Sequence, residues 1–179
     1  MKRSAKLLTL VLSLVLVAAL SIGGTMAFLT VKTDPVINTF VYGDIDLDLK
    51  EENPGPYDVV PGTDIVKDPK ITVKAGSENC WLFVRVTENN WSDKLIYSVA
   101  DGWTKGQGTD GIPTDVFYRE VLSKDADQAF EVLKDNKVTV SDQLAKGEIS
   151  GDSTLTITAY AVQRTGIDTA AEAWAAVSE

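Results

Sequence analysis

Cys80-Trp81-Leu82-Phe83-Val84-Arg85-Val86-Thr87 is the most strongly patterned stretch of the chain. Cys80, Leu82, Val84 and Val86 occupy alternate positions, so in an extended backbone they share one face. Trp81 and Phe83 make the opposite face apolar as well over the first half. Such a segment predicts a central β-strand covered on both faces at one end.

Working outward, the same period of two recurs. Asp44-Ile45-Asp46-Leu47-Asp48-Leu49-Lys50 alternates strictly, with three aspartates on one face and Ile45, Leu47 and Leu49 on the other. Ile71–Val73, Leu95–Val99, Val116–Leu122, Lys137–Val140 and Ser153–Gln163 read as further strands. In the last, Leu155, Ile157, Ala159 and Ala161 face one way; Thr154, Thr156, Thr158 and Tyr160 face the other. Asn53-Pro54-Gly55-Pro56 and Ala75–Asn79 read as loops, and four glycines mark Asp101–Pro113 as a long, mobile one. Ser123–Leu133 fits either a helix or a loop plus strand. Near the C-terminus, Ile167, Ala170, Trp174 and Val177 fall on one helical face, with Asp168 as the expected N-cap. Short strands at this spacing, separated by turn residues, predict an all-β fold, a β-sandwich closed by a short C-terminal helix that lays Trp174 on the body.

The N-terminus is different in kind. Lys2, Arg3 and Lys6 precede an apolar run, Leu7–Ile22, followed by Gly23-Gly24 and by Thr25-Met26-Ala27 with small residues at its ends. This is the layout of a secretory signal peptide cut between Ala27 and Phe28. Two alternatives stay open: a cut after Ala19, and retention of the leader as a membrane anchor. The charge pattern places the body outside the cytoplasm in either case. The expected organisation is a signal-peptide helix over 1–27, an N-terminal segment over 28–43, and a β-sandwich domain with its helix over 44–179.

Charge and composition exclude several chemistries. The 179 residues carry 17 Lys+Arg, 26 Asp+Glu, one Cys and no His. Three of the basic residues and none of the acids lie in the first 27, which leaves 14 basic and 26 acidic residues and a net charge of -12 beyond the leader. A body that acidic is a poor nucleic-acid binder. Without His there is no His-based triad, HExxH zinc site or His-ligated haem. One Cys allows no internal disulfide. Cys80 sits at an inward position and reads as a small buried hydrophobe rather than a nucleophile. The Asp44/Asp46/Asp48 ladder reads as a solvated face, because carboxylates two apart on a strand diverge where a calcium loop converges them. Asp64, Asp68, Asp101, Asp110 and Asp115 lie in loops as candidate oxygen ligands. No motif singles out a glycosidase acid pair. Trp91, Trp103 and Tyr97 lie near loops and are candidates for stacking on a sugar ring. The expectation is a non-enzyme with no catalytic residue, no cofactor and no resident metal.

The order of several short motifs resembles one family. Ser21-Ile22-Gly23-Gly24-Thr25-Met26-Ala27-Phe28-Leu29-Thr30, then Asn38-Thr39-Phe40, then Gly43-Asp44-Ile45-Asp46-Leu47 are similar to the exported bacterial proteins of the TasA/camelysin family, whose leaders are cut by the signal peptidase SipW. Val60-Pro61-Gly62, Lys67-Asp68-Pro69, Gly76-Ser77-Glu78 and Phe83-Val84-Arg85-Val86 continue the likeness. Ala159-Tyr160-Ala161-Val162-Gln163 and the Trp-bearing helix complete it. The resemblance implies a two-sheet jelly-roll-like sandwich, secretion to the cell surface, and a structural role in biofilm matrix fibres. It implies that 28–43, freed by cleavage, adds as a donor strand to another subunit, with Phe28, Val31, Val36, Ile37 and Phe40 as apolar contacts. Pro35 interrupts any long ladder there, so the segment has the alternative of pairing within its own domain. The peptidase label attached to camelysins does not carry over, because this chain has no His. The implied partners are the signal peptidase and like subunits, with no nucleic acid and with a membrane only through an uncleaved leader. A monomeric extracellular module for a glycan or other ligand is the alternative.

Overall fold

The structure, a computed structural model, describes residues 44–149 and 153–177. The chain divides between Val41 and Tyr42. The expected leader helix, the cleavage position Ala27–Phe28 and the donor contacts Phe28, Val31, Val36, Ile37 and Phe40 all lie outside the described residues.

The described chain is all-β with one helix. Its strands are β1 (Leu47–Lys50), β2 (Asp64–Val66), β3 (Lys70–Val73), β4 (Cys80–Asn89), β5 (Leu95–Ile96), β6 (Thr104–Lys105), β7 (Val116–Val121), β8 (Gln128–Glu131), β9 (Lys137–Val140) and β10 (Thr154–Gln163), followed by helix α1 (Ala170–Val177). They form three antiparallel sheets, in the orders β10-β4-β7-β6, β1-β3-β8 and β2-β9-β5.

The strand that decides the fold lies where its pattern places it. β4 is internal to the four-stranded sheet, paired along its whole length with β10 (Cys80 opposite Gln163, Asn89 opposite Thr154) and with β7 over Cys80–Arg85. Cys80, Leu82, Val84 and Val86 enter the main core with Ile71 and Val73 of β3, Leu95 of β5, Val121 of β7, and Val138 and Val140 of β9. All three sheets thus contribute apolar faces to one core. The opposite face of β4 is covered only at its start. There the fully buried Phe83 meets Trp174 of α1 at 5.2 Å between ring centroids, and Tyr160 meets the same indole edge-on at 5.6 Å.

Three sheets stand where the strand pattern predicts two, for a local reason. β2 pairs with β9, and β3 pairs with β8. These would be two halves of one ribbon but for the interruption at Lys67–Pro69 and Val132–Asn136. Pro69 has no N–H to give a ladder. On the opposing side a 3₁₀ turn occupies Lys134–Asn136, with Asp135 and Asn136 at positive φ. Single bonds still bridge the break: Lys67 N–H donates to the Asn136 carbonyl at 2.9 Å, and Val132 N–H to the Pro69 carbonyl at 3.1 Å. The same interruption shortens the strand expected over Leu95–Val99 to Leu95–Ile96, with a separate bridge between Val99 and Leu133.

Ser123–Leu133 resolves as a loop followed by β8, not a helix. The expected strand over Asp44–Lys50 is paired only from Leu47. Asp101–Pro113 is organised rather than loose. It contains β6, it buries Ile112, and the Asp110 carboxylate accepts the backbone N–H groups of Gln107 and Ile112 at 3.2 and 3.0 Å. The helix cap is Thr169, one residue after the expected Asp168. The Thr169 hydroxyl accepts the Glu172 N–H and the Glu172 carboxylate accepts the Thr169 N–H, each at 3.2 Å, a capping box.

Candidate functional site

The acidic candidates are dispersed. Asp64 pairs with Lys137 at 2.8 Å and accepts the Thr139 hydroxyl, and these bonds hold its carboxyl below the usual carboxylate range. Asp68 accepts from Asn53, Asp101 faces Lys134 at 3.7 Å, and Asp115 accepts from Arg85 at 2.7 Å. Asp48 of the ladder pairs with Lys50. Among the described residues, no three His, Cys, Asp or Glu converge as metal ligands would. Asp64 stands in β2 and not in the expected loop, and each of these paired carboxylates already serves a cation or a local amide.

Cys80 is buried with no accessible surface, and desolvation pushes its thiol up to about 11. The thiolate is the nucleophilic form, so this environment makes it inert near neutral pH.

The aromatic candidates separate. Trp103 donates its indole N–H to the Glu131 carbonyl at 2.9 Å and lies 5.5 Å from the Arg119 guanidinium, which also covers Phe130 at 4.1 Å. Burial holds that guanidinium below its ordinary value. Trp103 therefore packs against Arg119 of β7 and against β8. Trp91 and Tyr97 stack edge-on at 5.9 Å in a different neighbourhood. Trp91 donates to the Leu95 carbonyl at 2.9 Å, and Tyr97 donates to Glu88 at 2.7 Å. The Tyr97 hydroxyl is pushed well above its ordinary value by desolvation and by that carboxylate.

Two features of this neighbourhood are open. One is a groove of about 760 Å³ whose walls include Trp91, Leu95, Ile65, Val138 and Leu155, with the Pro54–Tyr57 and Leu144–Gly147 loops at its mouth. Trp103 and Tyr97 are not among its lining residues. The other is the outer edge of β10. Among the described residues no strand pairs with that edge, although β10 is ten residues long. The first residues of β10 line the groove, so the two features meet at Thr154–Leu155.

Sequence reasoning reached Trp91 but missed Tyr57, Lys67, Leu144 and Ile149 as neighbours of it. They lie in irregular segments with no period to mark a face, and only the closure of the sheets gathers them. No family model, no curated protein and no solved structure matches the chain. No helix among the described residues is long and apolar enough to cross a membrane.

Proposed function

We propose that the chain is an exported, non-enzymatic structural protein of the bacterial cell surface or biofilm matrix, a jelly-roll-like sandwich that assembles into fibres by donor-strand addition. The unpaired outer edge of β10 carries this reading. Ten residues of main chain there are paired on that side with no strand among the described residues, and an edge of that length is a template for another strand. Donor-strand addition uses such an edge through main-chain hydrogen bonds, with alternate side chains setting register. The leader and the TasA/camelysin-like motif order support export and cleavage after Ala27. Phe28, Val31, Val36, Ile37 and Phe40 supply the apolar residues for the added strand.

Electron microscopy of the exported, cleaved protein tests the proposal. Fibres are expected, and acidification should promote them because neutralising carboxylates reduces self-repulsion. Ile37→Asp and Phe40→Asp together should leave monomers. A wild-type protein that stays strictly monomeric at high concentration, at neutral and acid pH, would sink the reading.

A further inference from the structure

The groove beside Trp91 has the chemistry of a small-molecule site, and its occupant does not depend on whether the chain assembles. About 760 Å³ lies within the roughly 300–1,000 Å³ range of ligand pockets. Its walls include the apolar Val59, Ile65, Trp91, Leu144, Ile149 and Leu155 beside the polar Ser153 and Thr154. The two large rings on it have their polar atoms committed elsewhere. Trp91 gives its N–H to the Leu95 carbonyl, and the Tyr57 hydroxyl bonds Glu51 at 2.9 Å and the Asn53 carbonyl. They present ring surface rather than hydrogen-bonding groups, which suits a hydrocarbon body and not a sugar rich in hydroxyls.

Charges of both signs surround the groove: Glu51 pairs with Lys67 from behind, and the Glu148 carboxylate accepts the Ala145 N–H at 2.8 Å beside Lys146. In a chain with 26 acidic residues, the described lining contains two lysines and no carboxylate. Lys67 is 8 % exposed and is neutralised from behind by both Glu51 oxygens at 3.0 and 3.1 Å, with Tyr57 under its ammonium at 5.5 Å. Lys146 is exposed at the mouth, and no ion pair engages it among the described residues. A trough walled largely by apolar side chains, with one cation at its rim that no described residue pairs, fits a molecule with a hydrocarbon body and a single negative head.

We propose that this groove binds a free long-chain carboxylate, with the chain along Trp91 and Leu155 and the carboxylate at Lys146. Calorimetric titration of the full chain with laurate, and with dodecyltrimethylammonium as the opposite-charge control, both below their micelle concentrations, tests it. Laurate is expected to saturate at one per chain and to bind at least about tenfold more tightly than the cationic control. Ala145→Trp, at an exposed position on the mouth, should abolish binding by filling the groove. Lys146→Glu should weaken laurate by about two- to fivefold, the scale set by an exposed ion pair, and narrow the gap to the cation. Circular dichroism would show both surface variants folded. Absence of saturable laurate binding, laurate binding that survives Ala145→Trp, or equal affinity in Lys146→Glu would each overturn the proposal.

Discussion

Gly106 shows how a single position carries a tertiary constraint. It is buried, and a Cβ built on it would lie 2.4 Å from the Pro113 carbonyl oxygen and 2.7 Å from that of Ile112. Both contacts are main chain, so neither can swing aside. Gly106→Ala is expected to cost about 1–3 kcal/mol, the scale of overpacking, seen as a lower denaturation midpoint; an unchanged midpoint would refute the close approach. In the sequence this residue looked like one loop glycine among four, because nothing local marks the carbonyls that crowd it. Cys80 is the opposite case: its alternation with Leu82, Val84 and Val86 announced an inward side chain. With the thiol pushed up to about 11, its reaction with a disulfide reagent at pH 8 should be far slower in the native protein than in denaturant. Equal rates would contradict the burial.

At the scale of elements, α1 is held by its packing more than by its own turns. Eight residues are too few for a stable isolated helix in water. Trp174 lies against Phe83 and Tyr160, and Ala173 is fully buried beside them. Trp174→Ala is expected to destabilise the protein by about 3–5 kcal/mol. Thr169→Ala, which removes the cap, should cost about 1 kcal/mol. Chemical denaturation of the two variants checks the ranking, and a reversed order would mean that the helix does not depend on the β4 face. The cap was legible as Thr169-Ala170-Ala171-Glu172, a capping-box spacing passed over for the acid one residue earlier. The division of the second sheet was only half legible. Pro69 marks one side of the break, but the 3₁₀ turn opposite depends on Asp135 and Asn136 adopting positive φ, which no hydrophobic period reports.

For the whole molecule, ion pairs and buried acids bound stability from two sides. Asp64 and Asp127 have depressed native values, through Lys137 and through the Ala75 N–H with Lys74 respectively. The unfolded chain binds more protons than the native one as these groups titrate, so their contribution is present above the ordinary carboxylate value of 3.8 and is lost as pH falls through the lower native values. Raised groups act in the other sense. Cys80, Tyr57 and Tyr97 stay protonated in the native state where the unfolded chain would ionise, and Lys74 and Lys137 hold their protons longer. Their contribution is full below the unfolded values, the lowest being 9.0 for the thiol, and declines as pH rises through the native ones. Urea denaturation across pH should therefore show a plateau between about 5 and 9, a fall on the acid side below about 4, and a fall above 9. Stability that rose from pH 9 to 11 would contradict the buried thiol and the two tyrosines.

What the sequence determined by itself is the periodic part: an all-β body, a central strand covered on both faces at its start, and a C-terminal helix carrying Trp174. Side-chain alternation reports which face of a strand is buried wherever the pleat repeats, and that information is local. Only the tertiary structure decided which loops meet. It placed Tyr57, Trp91, Lys146 and Leu155 around one groove and sent Trp103 to the Arg119 wall instead. It also left the outer edge of β10 without a partner among the described residues. These are consequences of sheet closure between segments distant in the chain, and residues in irregular loops carry no period from which such meetings can be read.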